Sequence, residues 1–187
     1  MVDYITPMYK VSDAARASDS PVTTLRSHLQ RGSYRIVGGR TAEVKGATAL
    51  LTLCDTLAFA VASALCRAGV HPKRAFKAAI CFAHFGHGPS GWVGESKDKT
   101  SLSRNPGQLY DPAKARTFLI HQPEIDPEEE MQARIVAVPH KGQNSLSNNL
   151  FDIDASHRTE AAIVLDLGPI VDRVFQALGM HPSEAVT

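Results

Sequence analysis

The densest run of chemistry-bearing side chains lies between residues 22 and 31. Thr23, Thr24, Arg26, Ser27, His28 and Arg31 interleave short hydrogen-bonding groups with long cations. A DNA major groove asks for this mixture, because base edges need close donors and acceptors while the flanking phosphates need positive charge. Arg35, Arg40 and Lys45 follow in the next stretch. Arg26 and His28 are then the residues expected to approach base edges, and Arg31, Arg35, Arg40 and Lys45 those expected to hold phosphates.

A second grouping is Cys81, His84 and His87. Cys81 and His84 share one helix face, and a structural zinc site needs four such ligands. Cys66 or His71 would have to complete it, and no Cys-x-x-Cys pair is present. Histidines at helix ends ordinarily satisfy carbonyls or packing, so these three stay metal candidates only and no cofactor is expected. Cysteine, histidine and aspartate can also form a nucleophilic set. The chain has no Gly-x-Ser-x-Gly, no phosphate-binding loop and no His-Glu-x-x-His, and no catalytic residue is assigned. Asp152, Asp154 and the acidic run at 128–130 read as solvated loops. Trp92, the single tryptophan, either packs its Gly-rich surroundings or stacks on a ligand.

The elements that must position the first set are legible from pattern. Val11–Ala17 reads as a short helix with Ser12 as its cap. Pro21 suits a helix start. Over Val22–Gln30, Val22, Leu25 and Leu29 form an apolar stripe that ends at Gly32. Tyr34, Ile36 and Val37 favour a strand, Gly38-Gly39 a hairpin turn, and residues 41–44 a returning strand. Two helices around a tight turn, then strand–turn–strand, make a winged helix-turn-helix. An apolar helix is expected over 46–68, and another over 72–82 with Ala75, Phe76, Ala79 and Ile80 facing inward. Beyond a Gly/Pro/Ser/Lys-rich stretch at 86–107 come strands at 116–121, 132–139 and 161–166. A terminal helix follows at 168–178, with Ile170, Val171, Val174, Phe175 and Leu178 on one face.

Charge divides along the same line. The formal net charge is only +1. Residues 1–80 carry 11 Lys+Arg against 5 Asp+Glu, and residues 81–187 carry 9 against 14. The whole-chain figure therefore hides a basic half and an acidic half, and the basic half suits a polyanionic partner. Three cysteines give no disulfide framework and suit a reducing compartment. The first ten residues lack the apolar centre of a signal peptide. Residues 47–66 are nearly long enough to cross a bilayer, but Asp55 sits within them, where a charge costs about 3 kcal/mol. A buried helix is the expectation there, with no membrane contact.

Residues 9–80 resemble the DNA-binding domain of MerR-type regulators. The resemblance rests on Ala14-Ala15 in the first helix and on Thr24-Leu25-Arg26 with Gly32 six residues after the arginine. It also rests on Arg40 as a wing arginine, and on the helix–Gly–helix joint Leu65-Cys66-Arg67-Ala68-Gly69-Val70-His71-Pro72-Lys73-Arg74-Ala75. The chain is similar too to small MerR-like proteins of phage and mobile elements, including excisionase-type proteins.

The expectation is therefore an α+β protein. A MerR-like winged helix-turn-helix with a helical extension fills residues 1–85. A linker covers 86–107, and a small β-rich domain with a terminal helix covers 108–187. The expected role is a cytoplasmic, dimeric transcriptional regulator that binds double-stranded DNA and has no enzymatic activity. Residues 108–187 would serve dimerisation, effector binding or contact with a protein partner. The alternatives are an excisionase-like or adaptor protein and a metal- or ligand-responsive sensor.

Overall fold

The computed structural model of the chain describes residues 2–39, 49–86, 103–121, 133–140 and 162–181. Within them the order is β1 (Tyr9–Lys10), α1 (Val11–Ala17), α2 (Val22–Gln30), β2 (Leu50–Leu51), α3 (Leu53–Arg67), α4 (Pro72–Ala83), β3 (Ala115–His121), β4 (Ala133–Pro139), β5 (Ile163–Asp166) and α5 (Gly168–Ala177). The class is α+β, with two small antiparallel sheets.

Helices α1 and α2 span the residues expected of them, Val11–Ala17 and Val22–Gln30. Ser12 is not the cap of α1, because the helix already begins at Val11. The Asp13 carboxylate instead accepts the Lys10 N–H at 2.9 Å, satisfying one of the donors that a helix start leaves orphaned. Ala14, Ala15 and Ala17 are buried, so α1 can approach α2 and α3 closely. Pro21 stands just outside α2, and its carbonyl accepts the Thr24 and Leu25 N–H groups at 3.0 and 3.3 Å. Leu25 is buried, and Val22 and Leu29 pack against the same core. Gly32 ends α2 at φ +67°, with open space around the missing Cβ; it is chosen for backbone conformation, not for room.

The turn between the two helices is pinned to α3. Ser20 Oγ lies 3.0 Å from Ser63 Oγ, and Arg67 reaches the Ser18 carbonyl at 3.4 Å. Asp19 adopts φ +52° there, a conformation that aspartate tolerates better than most side chains.

Two expectations are corrected between residues 34 and 68. Residues 34–37 form no strand. The Tyr34 side chain turns into the core, and the Val37 N–H is taken by the Asp55 carboxylate at 3.1 Å, which removes a donor that a strand ladder would use. The helix expected over 46–68 starts only at Leu53. Leu50–Leu51 is extended and pairs antiparallel with Tyr9–Lys10. Thr52 then caps α3, its Oγ1 accepting the Asp55 N–H at 3.0 Å. No described helix is long and apolar enough to cross a membrane. The returning wing strand at 41–44 lies outside the described residues.

The second half keeps its expected elements within one or two residues. β3 is central, between β4 and β5. Its alternation sends Leu119 toward the helices with Ile135 and Leu165, and sends Phe118 and Ile120 to the opposite face with Val136, Val138 and Val164. Ile170, Val171, Val174 and Phe175 of α5 are buried as their spacing predicts. Helix α5 packs on α1 and α3, and β4 meets α4. A single core thus runs from Tyr4 and Val11 through Leu57, Phe59 and Phe82 to Leu119 and Phe175. Most of the expected linker lies outside the described residues. Its end, at Gly107, is held by a hydrogen bond from its N–H to the Phe82 carbonyl at 3.1 Å.

Because the core is shared, damage in α5 should reach α1. Phe175 is fully buried and lies 6.5 Å, ring to ring, from Tyr4. Phe175→Ala is expected to cost about 3–5 kcal/mol. Hydrogen exchange should report lowered protection in α1 and α3 as well as α5, whereas loss confined to α5 and the sheet would indicate two independently stable units.

Candidate nucleic-acid interface

Leu25 turns inward from α2, and the opposite face is left to solvent. Thr23, Thr24, Arg26, Arg31 and Arg35 are exposed, and Ser27 and His28 are partly buried. Among the described residues, the side chains of Arg26, Arg31 and Arg35 form no ion pair. His28 has its ring edge-on to Phe76 of α4, at 5.2 Å. Burial, and then the neighbouring Arg31, lower its pKa from 6.5, so it is neutral at pH 7. Arg40 and Lys45 lie outside the described residues.

Beneath this surface sits a polar cluster that spacing alone does not disclose. Asp55 is wholly buried at the third position of α3. Its Oδ1 accepts the Tyr34 hydroxyl at 2.6 Å and the Val37 N–H at 3.1 Å. Its Oδ2 accepts the Thr52 N–H at 3.0 Å and the Thr52 hydroxyl at 2.9 Å. Burial pushes the carboxyl pKa up, but the donors from Tyr34, Thr52 and Val37 outweigh it and hold Asp55 below its ordinary 3.8. A buried carboxylate with four donors is satisfied, and each donor removed would leave part of that charge uncompensated.

His84, at the end of α4, completes the cluster. Its Nε2 lies 3.2 Å from Tyr34 Oη and 3.5 Å from Asp55 Oδ1. The tyrosine has one proton, committed to Asp55, so its oxygen accepts from His84 and the neutral imidazole carries its proton on Nε2. The Tyr34 ring packs on Phe59 at 4.7 Å and on Phe76 at 5.0 Å. Burial first, and the adjacent carboxylate second, push the Tyr34 hydroxyl pKa far up. The segment leaving α2 is therefore anchored to α3 and α4 through one side chain.

These partners also bear on the metal candidates. His84 is engaged by Tyr34, and the Cys81 thiol donates to the Lys77 carbonyl at 3.5 Å. His87 lies outside the described residues, and no group of three potential ligands occurs among those described. Burial raises the thiol pKa of Cys54 to about 12, with Asp55 adding to it, and also raises those of Cys66 and Cys81. All three thiols are free and remain protonated at neutral pH. Trp92, Asp152, Asp154 and the acidic run at 128–130 lie outside the described residues.

Asp55, Tyr34 and Arg104 are the functional-scale features that the spacing rules pass over. Arg104 is buried and donates to the Phe82 and Cys81 carbonyls at 2.9 and 3.1 Å, placing a cation at the negative end of α4. Only Asp55 had a local signal, since Thr52-x-x-Asp55 before an apolar run is a capping pattern. No family model matches the chain, and no curated protein matches it either.

Acid should lower the stability of the protein over two pH ranges. Burial lowers the His84 pKa from 6.5 more than Asp55 raises it. A histidine depressed in the fold contributes stability that is full above about pH 6.5 and is lost as pH falls. Asp55, also depressed, contributes stability that is full above about pH 4 and is lost below it. Denaturant melts from pH 7 to pH 3 should show both losses. His84→Gln should reduce the slope below about pH 6.5, leaving the share from His28, and should keep the fall below about pH 4. An unchanged upper slope would remove His84 from this account.

Proposed function

We propose that the chain is a sequence-specific, double-stranded-DNA-binding transcriptional regulator that uses α1 and α2 as a helix-turn-helix. One observation carries this. Helix α2 leaves the four-residue turn after α1 with Leu25 buried, Val22 and Leu29 half-buried against the core, and Thr23, Thr24, Arg26 and Arg31 exposed, the arginines free of ion pairs among the described residues. A recognition helix needs that division, because a guanidinium already paired to a carboxylate is a poor phosphate ligand.

Three further features support the reading. The basic half of the chain contains this surface. The β1–β2 pairing holds Leu50–Leu51 beside the residues that lead into α1, so the chain returns to the helix-turn-helix after the stretch in which a wing is expected. The likeness to MerR-type regulators at Thr24-Leu25-Arg26 and Gly32 falls on the same helix. In this proposal Arg26 reads base edges, with Thr23, Thr24, Ser27 and the neutral edge of His28 beside it. Arg31 and Arg35 hold phosphates, and Arg40 and Lys45, which lie outside the described residues, are assigned the same role. One short helix reads few base pairs, so the active form is a dimer on paired half-sites. The reducing cytoplasm suits three free cysteines. The sheet and α5 are the part available to a second subunit, an effector or a protein partner.

Selection of bound duplexes from random DNA tests the proposal, and an inverted repeat is the expected product. Arg26→Ala should cost about 1–3 kcal/mol on the selected site and relax preference at one position. Arg31→Ala should weaken binding to all sequences and reduce the slope of log affinity against log salt by about one. Equal affinity of wild type and both variants would sink the proposal.

A further inference from the structure

We propose that Asp55 and Tyr34 are positioning residues for Arg35: by holding the chain on both sides of that arginine, they fix where its guanidinium meets a DNA phosphate. The inference rests on the DNA-binding reading above and adds to it a residue pair that lies entirely beneath the surface.

Arg35 is exposed and has no ion pair among the described residues, so nothing at its tip tells the side chain where to be. The information comes from its backbone. On one side Tyr34 is 2% exposed, its ring wedged between Phe59 and Phe76 and its hydroxyl on Asp55 Oδ1. On the other side the Val37 N–H is bonded to the same oxygen. Two residues further on, a Cβ built on Gly39 would come within 2.3 Å of the Leu50 carbonyl oxygen, 2.5 Å of Ile36 Cγ2 and 3.1 Å of Asp55 Oδ2. Only glycine lets the strap lie this close. Thr52 binds the second carboxylate oxygen twice, so the carboxylate is itself held to α3 and does not swing with the strap.

An arginine on an unanchored loop must have its backbone ordered when it binds, and that entropy is subtracted from its contribution to affinity. Here the ordering is done in advance by a group that never touches the ligand. Loss of the anchor should therefore weaken DNA binding only as long as Arg35 is there to benefit.

That dependence separates positioning from simple support of the fold. Wild type, Tyr34→Phe, Arg35→Ala and the double variant would be compared as full chains on a selected duplex. Each would be measured for affinity at several salt concentrations and for melting temperature. Tyr34→Phe keeps the ring in the aromatic cluster and deletes only the hydroxyl. It is expected to weaken binding roughly threefold to tenfold when Arg35 is present and by less than about twofold when Arg35 is alanine. Its effect on melting temperature should be the same in both backgrounds. Gly39→Ala repeats the test from the other end of the strap and stands in if Tyr34→Phe does not fold.

Equal weakening in the presence and absence of Arg35 would overturn the inference while leaving DNA binding intact. Absence of salt-dependent binding by wild type to any duplex would overturn the DNA-binding reading, and this inference with it.

Discussion

A single carboxylate, removed from water and given four donors, organises the basic half of this protein. Asp55 joins the start of α3, the strap after α2 and, through Tyr34, the end of α4. Taking a charge out of water is expensive unless every lone pair is met. The cluster therefore tolerates one arrangement of these elements and penalises the rest. Apolar packing alone is less exacting, since Phe59, Phe76 and the alanines of α1 would accept small rotations of the helices. The hydrogen-bond geometry around Asp55 would not.

The exposed cations depend on that constraint in a simple way. Arg26 and Arg31 take their positions from α2, whose register is set by Leu25 in the core and by the turn fixed to Ser63 and Arg67. Arg35 lies beyond the helix, where only the strap can place it. The surface that faces solvent is thus assembled from two mechanically different supports, one a helix and one a clasp.

Local rules make much of this legible in the sequence, and the failures are instructive. The apolar stripes of α2, α4 and α5 announce themselves, because each is a short-range pattern with its own punctuation. The start of α3 does not, because residues 46–52 are as apolar as the helix that follows. Leu50–Leu51 is extended only because Tyr9–Lys10, some forty residues earlier, offers a partner. The capping pattern Thr52-x-x-Asp55 marks the true start, yet the same aspartate also reads as no more than a charge unsuited to a membrane. The exposed half of the site follows from residue type. The buried half joins residues 21 and 50 apart in sequence, and no periodicity connects them. The strand expected at Tyr34 fails for the same reason: a β-favouring composition yields when a distant carboxylate claims the backbone donor.

The packing of α5 against α1 also bears on how the protein is made. Tyr9 donates to the Met180 sulfur across 171 residues, and the core around Ala14 and Leu57 is closed by Val174 and Phe175. A chain is synthesised from its N-terminus at about 5–20 residues per second. The first helices would therefore leave the ribosome several seconds before the residues that cover them are joined. During that interval the apolar faces of α1 and α3 that α5 covers in the finished fold are left in water, so closure of this core is a late event that waits on the far end of the chain.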